Sequence, residues 1–429
     1  MTIRKRRTAI AMATAVVLAT AGVAACSSSS PSSSAAGGGS TATGGTTAAP
    51  SVIKLGLITD LTGPFSSSFT SSEKGIEAYV DMVNADGGIN GHKLSYVVAD
   101  TTSTITGAQT AAQELVQRDG VFAVVDDSAA FSGAEPYLLQ QGVPAIGGAF
   151  DGPEWNVASN TNLFASTGVT DYNTVNAAVG KFMKAQGVTV CGAVGYPNAT
   201  AGPSAVAVVK SCTAAGLKDG YLNTQIPVGS TDVGPIALAM QKAGVNGIVL
   251  PVVVSTGFAL LGALKQLGVK LKVALLSTGY GGDLLASSAA VQAGQGYMFS
   301  SVGQPVEANT AATQQMTAAL AKAGVTSTPT FAEQEAYIAT AAVAAGLKAA
   351  GANVTQKSFM TALRGIHNFN ADGLLSPGAV NFSNLNQDAG GAGAAGCIFA
   401  AQLEGTKFVP VTDTPMCGEA VPGLTTGAS

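Results

Sequence analysis

Apolar residues recur with two different periods along most of this chain. Residues 52–58 form a short β-rich run, and residues 71–84 then place apolar side chains at the i, i+3, i+4 and i+7 positions of one helical face. Those positions are Ile76, Tyr79, Val80 and Val83. The change of period predicts a strand followed by an amphipathic helix.

The same alternation continues in two series. The first predicts strands at 93–99, 121–125 and 143–146 and helices at 107–118 and 131–141. After a bridging stretch at 163–168, the second predicts helices at 171–186, 202–216, 233–243 and 257–267 and strands at 188–194, 247–253, 271–276 and 297–301. Strands and helices in turn indicate parallel sheets with helices on both faces, so we expect two α/β lobes.

The order changes in the last third of the chain. Three successive helices are predicted at 307–323, 331–349 and 355–365, followed by short strands at 379–382, 397–403 and 407–411. The turn Glu404-Gly405-Thr406 joins the last two strands into a predicted hairpin.

The first 51 residues differ from the rest in composition. A basic run at 4–7 precedes an uncharged stretch that ends in small residues and Cys26, which resembles the lipobox of bacterial lipoproteins. We therefore expect a signal peptide at 1–25, lipid on the Cys26 thiol, and a flexible Ser/Gly/Thr/Ala tether over 26–51. The alternative is an uncleaved membrane anchor, although Ala and Thr dominate the 18 uncharged residues that would have to span the bilayer.

The net charge argues against a nucleic-acid-binding function, and the length of the chain indicates more than one lobe. Removing residues 1–25 takes away four basic and no acidic residues, which moves the formal net charge from −4 to −8. Such a surface does not attract nucleic acid, so we expect no nucleic-acid partner. The roughly 370 residues that follow the tether exceed what one core usually organises, which again predicts two lobes.

Five cysteines are present, and lipid on Cys26 would leave four. An even number in an oxidising compartment favours disulfides, with three possible connectivities. No two are spaced as Cys-x-x-Cys, so we expect no metal site. The predicted elements bring Cys191 near Cys212 and Cys397 near Cys417, and these are the pairs that we predict.

Several segments stand in a characteristic order. They are KLGLITDLTGPF at 54–65, NADGGINGHKL at 84–94, LVQRDGVFAVV at 115–125, QGVPAIGGA at 141–149, ADGLLSPGAVNF at 371–382 and LEGTKFVPV at 403–411. Together they resemble the periplasmic-binding-protein type I family, specifically the branched-chain amino acid class of ABC-transporter substrate-binding proteins.

The resemblance implies a two-lobed α/β fold, in which each lobe is a mainly parallel sheet flanked by helices and the ligand cleft lies between the lobes. Lobe one would comprise 52–168 and 301–380, and lobe two 169–300 and 381–420. The resemblance also implies an extracytoplasmic receptor, held at the cell membrane by its lipid. Such a receptor closes a hinge around a small molecule, an amino acid or another solute, and delivers it to the membrane permease subunits of an ABC importer.

The resemblance also locates the ligand contacts. In lobe one the family holds the ligand's carboxylate with a serine, an alanine backbone group and a threonine; Ser128 and Ala149 match, but the threonine position is Asp151. In lobe two, Tyr196 and Tyr280 lie near the positions of a family tyrosine and a family acidic residue. The expected ligand-binding residues are Phe65, Asp126, Asp127, Ser128, Ala149, Phe150, Asp151, Tyr196 and Tyr280.

Three of these residues change the expected ligand. Each of Asp126, Asp127 and Asp151 would repel a ligand carboxylate by about 1 kcal/mol in water-like surroundings and by about 4 kcal/mol at an effective dielectric of 20. We therefore expect neutral, cationic or aromatic molecules to bind better than leucine, isoleucine and valine. Phe131 and Trp155, near the same loops, either line the pocket or pack the adjoining helices.

No catalytic site is expected. Neither His92 nor His367 has a nucleophile or carboxylate arranged with it in sequence. A Gly-x-Gly-x-x-Gly pattern at 391–396 precedes a strand, whereas the dinucleotide fingerprint follows a strand and opens a helix, so we expect no cofactor. The alternatives are a ligand-sensing envelope lipoprotein on the same fold and an extracytoplasmic hydrolase.

Overall fold

The computed structural model describes residues 51–383, 396–411 and 414–427. The predicted signal peptide, Cys26, nearly all of the tether and most of the glycine pattern at 391–396 lie outside these residues. The first of two large sheets has five parallel strands in the order β2-β1-β3-β4-β5. They are β1 (Ser51–Thr59), β2 (His92–Asp100), β3 (Ala123–Asp127), β4 (Ala145–Gly147) and β5 (Leu163–Ala165).

The second sheet is mixed and follows the order β13-β12-β11-β10-β9-β7-β8. Its strands are β7 (Val190–Val194), β8 (Lys218–Asn223), β9 (Gly247–Leu250), β10 (Val273–Leu276), β11 (Met298–Ser301), β12 (Cys397–Glu404) and β13 (Lys407–Pro410), with β14 (Met416–Cys417) paired to β12. The strands from β7 to β11 are parallel, and β12 is antiparallel to both β11 and β13. A separate pair joins β6 (Thr174–Asn176) to β15 (Ala420–Thr425).

Helices cover both faces of each sheet. They are α1 (Ser66–Phe69), α2 (Ser72–Ala85), α3 (Ile105–Gln113), α4 (Glu135–Gln141), α5 (Ala178–Ala185), α6 (Ala201–Ala214), α7 (Gly234–Ala243), α8 (Val254–Gln266), α9 (Gly282–Ala286), α10 (Ser288–Ala293), α11 (Ala311–Lys322), α12 (Phe331–Ala350) and α13 (Gln356–Arg364). On the first sheet, α2, α11, α12 and α13 share one apolar cluster and α3 and α4 share another. On the second, α7 and α8 lie in one cluster and α5 and α6 in the other.

Helix α12 is the central helix of the first lobe. It begins with a capping box between Thr330 and Glu333, and most of its residues are buried. It crosses α2 at Gly75, where a Cβ atom would collide with the carbonyl oxygen of Glu333. The close crossing fixes the N-terminal turn of α12 against the first sheet.

The chain passes between the two sheets three times. The crossings follow β5, follow β11, and precede β12. Helices α11 to α13, which follow β11 of the second sheet along the chain, therefore pack on the first sheet. Each lobe is consequently built from segments that are distant in sequence.

Both predicted disulfides are confirmed: Cys191 bonds to Cys212 and Cys397 to Cys417. The first links β7 to the C-terminal end of α6. The second links directly opposite residues of β12 and β14.

The observed elements follow the predicted alternation, and the predicted hairpin is confirmed because Glu404 of β12 pairs with Lys407 of β13. The helix predicted at 171–186 is wrong in its first half, where β6 pairs with β15. The strand predicted at 379–382 is also wrong: only Val380 forms an isolated bridge, to Phe369. Strand β8 was not predicted, because it is an edge strand in which no side chain is buried.

Candidate ligand-binding site

A cavity of about 300 Å³ lies between the two sheets. Its first wall consists of residues after β1, β3, β4 and β5 together with the N-terminal turns of α12. Its second wall consists mainly of residues after β7, β9 and β10 together with parts of β11 and β12. Ligands bind at the carboxyl ends of strands in parallel α/β sheets, and the volume is within the range of small-molecule pockets.

Aromatic rings form much of the first wall. Phe150 follows Ala149, which has a left-handed φ of 57° that is unusual for a residue with a Cβ atom. The ring of Phe150 stacks on Phe69 at 5.6 Å between centroids and meets Phe331 edge-on, also at 5.6 Å. All three rings line the cavity, so the strained turn at Ala149 contributes a ring to an apolar wall.

The polar groups at the end of β3 bind a carboxylate of the protein itself. Ser128 Oγ donates to Asp60 Oδ1 at 2.9 Å, and the Ala129 amide donates to Asp60 Oδ2 at 2.7 Å. The Thr101 hydroxyl also donates to Asp60 Oδ1. Ser128 Oγ in turn accepts from the Ala130 amide at 3.0 Å. The serine on which the resemblance places a ligand carboxylate therefore already holds Asp60.

Several other carboxyl groups are buried around Asp60. Burial raises the pKa of Asp126 well above its ordinary value, and the charges of Asp127 and Asp60 raise it further. Burial also raises the pKa of Asp127, to which the charge of Glu335 contributes. Since these groups lie in one region, their simultaneous ionisation is costly and protons are retained there.

Two of the buried carboxyl groups reach the cavity wall, Asp151 and Glu335. Burial raises the pKa of Asp151 well above its ordinary value, and the charge of Glu154 raises it further. Burial raises the pKa of Glu335 to about 8, so this side chain is mainly a neutral acid at pH 7. The Glu335 carboxyl lies against Gly148, where a Cβ atom would collide with it.

The second wall is mostly apolar, with hydroxyl and amide groups at its edge. Tyr196 lines the cavity, but its hydroxyl is engaged within the lobe: it donates to Thr256 Oγ1 at 3.1 Å and accepts from the Val253 amide at 3.0 Å. Tyr196 therefore offers the side of its ring to a ligand. Asn198 and Ser204 stand on either side of the start of α6 and also line the cavity.

The expected site residues separate into two groups. Phe65, Phe150, Asp151 and Tyr196 line the cavity, whereas Asp126, Asp127, Ser128, Ala149 and Tyr280 do not. Asp126, Asp127, Ser128 and Ala149 lie behind the wall and are fully buried. Tyr280 is elsewhere: its hydroxyl donates to Glu307 Oε2 at 2.6 Å and its ring packs on Phe408 at 4.9 Å. The expected placement of Tyr280 in the ligand cleft thus does not match its packing.

Phe131 and Trp155 pack within the lobe. Their rings stack at 5.1 Å and both are buried in the cluster formed by α3 and α4. The Trp155 indole donates to Asp151 Oδ1 at 2.6 Å, so Trp155 supports a cavity residue without lining the cavity.

Two residues of the site were missed by sequence reasoning. Asp60 directly follows β1, and its position at a strand end in the segment 54–65 was the available signal. Glu335 lies in the apolar stripe of α12, in phase with Ala332, Ala339 and Ala342, where a carboxyl is unexpected. An acidic residue within a buried helical face is a usable signal of a functional site.

Within the described residues, no group of three His, Cys, Asp or Glu side chains is arranged to hold a metal ion. None of the helices in the described ranges is both long and apolar enough to cross a bilayer.

The periplasmic binding protein family model matches residues 52–407, so the chain belongs to this family. No curated protein sequence matches this chain. A fatty acid ABC transporter substrate-binding protein from Thermomonospora curvata has a similar structure, with a TM-score of 0.70 and 21% identity over 87% of this chain and 93% of that one.

Two further solved structures have similar folds. A branched-chain amino acid ABC transporter from Thermus thermophilus with bound valine has a TM-score of 0.69 and 18% identity, over 87% of this chain and 98% of that one. A solute-binding protein of an ABC transporter from R. palustris in complex with benzoate has a TM-score of 0.68 and 17% identity, over 86% of this chain and 97% of that one. These likenesses establish the two-lobed periplasmic-binding-protein type I fold.

Proposed function

We propose that this protein is an extracytoplasmic substrate-binding lipoprotein of an ABC importer, which captures a small molecule between its lobes and delivers it to a membrane permease. The observation that carries the proposal is the cavity between the two sheets, with walls from strand-end loops of both. Family membership supports it, and so do solved relatives described as ABC-transporter proteins with bound valine or benzoate.

Capture would proceed by closure of a hinge between two lobes. We assign residues 52–168 and 301–380 to lobe one and residues 169–300 and 381–420 to lobe two, in keeping with the sheet to which each strand belongs. The three crossings between the sheets form the hinge. Phe65, from the loop after β1, packs against the apolar cluster of the second sheet, a contact that requires the lobes to be close together.

Lipid on Cys26 would keep the receptor at the membrane surface. A flexible tether of about 25 residues has a root-mean-square length of about 25–30 Å, which lets the folded part reach a permease in the same membrane. The arrangement of small residues before Cys26 supports this part of the proposal.

A cavity-filling substitution tests the proposal. Ser204 lies on α6 and lines the cavity, whereas Thr213 lies on the same helix and is exposed. We expect mass spectrometry of the denatured full-length protein to reveal a co-purified small molecule. At 100 times its dissociation constant that molecule should stabilise the protein by about 2.7 kcal/mol.

Ser204→Phe should abolish this stabilisation, and Thr213→Phe should retain it. A Ser204→Phe protein that melts like the wild type and still binds the molecule would place the ligand elsewhere. Deletion of the gene should abolish uptake of the molecule, whereas unchanged uptake would refute the importer role and favour a sensor. Chemical conversion of the molecule by the protein would instead identify an enzyme.

A further inference from the structure

The cavity wall carries acidic but no basic side chains. Among the described residues that line it, Asp151 and Glu335 are acidic and none is Lys, Arg or His. An anionic ligand would therefore be desolvated without a counter-charge, which is costly in a buried site.

Two donors at the end of β3 that could bind an anion are already used. The Ser128 hydroxyl and the Ala129 amide donate to Asp60, and the Asp60 side chain is fully buried. A ligand carboxylate would have to displace this internal carboxylate or lie beside it. Displacement would leave the buried Asp60 carboxylate without its hydrogen-bond donors. Placement beside Asp60 would bring two negative charges close together.

The same wall is suited to an organic cation. Phe331 and Glu335 are four residues apart in α12 and both line the cavity, so an aromatic ring and a carboxyl lie on one helical face. Phe69 and Phe150 complete an aromatic cluster around Phe331. Aromatic faces attract ammonium groups within about 6 Å of the ring centroid. The Ser68 hydroxyl also lines the cavity and, within the described residues, is buried with no hydrogen-bond partner.

We infer that, within the receptor function proposed above, the cavity binds a protonated amine carried on an aromatic or hydrocarbon body, with Glu335 as the counter-charge. The charged groups that interact with Glu335 are acidic: they are Asp126 and Asp127 at the end of β3, and the charge of Glu335 contributes to the raised pKa of each. A cation is therefore the charge that this part of the protein lacks.

Binding of an amine should release a proton. The neutral Glu335 acid must ionise to pair with the ammonium group, because burial raises its pKa to about 8. An aliphatic amine with a pKa near 10 remains protonated over the same range. The affinity should therefore rise by up to about tenfold per pH unit between pH 6 and 8 and level off above.

Three probes that share one body but differ in charge test this inference: phenethylamine, 2-phenylethanol and 3-phenylpropanoate. We expect calorimetry with the full-length protein at pH 7.5 to show phenethylamine binding about 100-fold more tightly than 3-phenylpropanoate, a difference of about 2.7 kcal/mol. Titrations in buffers of different ionisation enthalpy should show release of about one proton per amine.

Two variants on α12 separate the counter-charge from a general effect on the helix. Glu335→Gln should weaken phenethylamine binding at least tenfold and abolish its pH dependence and proton release. Glu333→Gln should preserve all three, because Glu333 does not line the cavity and Gln maintains a capping box.

Each other outcome overturns the inference. One such outcome is binding of the alcohol or the propanoate at least as tight as that of the amine, and another is amine binding that is unchanged by Glu335→Gln. If the alcohol or the propanoate binds the wild type and Ser204→Phe abolishes that binding, the receptor function stands and only the assignment of a cationic ligand fails. If none of the three probes binds, the amine assignment fails, and the co-purified molecule alone decides the receptor function.

Discussion

Replacing Glu335 with Gln should change how the stability of the protein depends on pH. Folding buries this carboxyl and raises its pKa from 4.5 to about 8, so between these values the folded state retains a proton that the unfolded state has lost. The resulting stabilisation is fully present below the unfolded pKa and is lost as the pH rises through the folded pKa. At about 1.36 kcal/mol per pH unit, the wild type should lose about 5 kcal/mol across this interval. Glutamine does not titrate, so the stability of the variant should not show this pH-dependent decrease.

Urea unfolding measures the effect, with the fluorescence of Trp155 as the signal. Trp155 is the only tryptophan and is 1% exposed, so unfolding should change its emission strongly. The stability of Glu335→Gln minus that of the wild type should increase by about 1.4 kcal/mol per pH unit between pH 5 and 8 and then level off. A loss of this size is large beside the total stability of about 5–15 kcal/mol typical of folded proteins.

Glu333→Gln is the matched control. Burial also raises the pKa of Glu333, but hydrogen bonds from Thr330 favour its charged form and oppose the rise. The control should therefore show a smaller pH-dependent difference from the wild type. Stability curves of Glu335→Gln and the wild type that run parallel from pH 5 to 9 would refute the buried neutral acid.

Three further predictions concern other parts of the chain. Cys26→Ala should release the protein from the membrane fraction or leave an unprocessed precursor, as seen by fractionation and intact mass; normal cleavage after Ala25 with unchanged membrane retention would contradict lipidation. Removing the Cys191–Cys212 disulfide, which closes a loop with a sequence separation of 21, should cost about 3 kcal/mol in urea unfolding, and unreduced peptide maps should contain both disulfide-linked pairs. Asp60→Ala should cost about 1–3 kcal/mol because it leaves buried donors unpaired, and added formate should restore part of that stability; no effect of formate would argue against an anion site at Ser128 and Ala129.

The general fold could be predicted because most of its elements carry their own local pattern. Strand β1 is mostly apolar because the sheet is covered on both faces, and α2 shows its buried face directly in sequence. The elements that were missed depend on remote partners. Residues 174–176 become a strand only because the C-terminal β15 pairs with them, and β8 is too exposed at the sheet edge to show an apolar pattern.

The candidate site could be predicted only in part, for a related reason. Loops that follow parallel strands must meet at one edge of a sheet, and Phe65, Phe150 and Asp151 of these loops line the cavity. Which polar groups remain free for a ligand depends on hydrogen bonds between distant segments. Asp60 and Ser128 are 68 residues apart, and neither local sequence indicates that the Ser128 hydroxyl donates a hydrogen bond to the Asp60 carboxylate.

The three crossings between the sheets also determine the order in which an exported chain can fold. The strands of the first sheet all lie within residues 51–165, but three of the four helices in the apolar cluster on one of its faces, α11 to α13, follow only after residue 310. The second sheet lacks β12 until residue 397 has emerged. As the chain leaves the export channel N-terminus first, this apolar face of the first sheet is covered only by α2 while roughly 150 further residues cross the membrane. Neither half can be completed as an independent unit, so this receptor must be protected from aggregation until its last helices and strands have arrived.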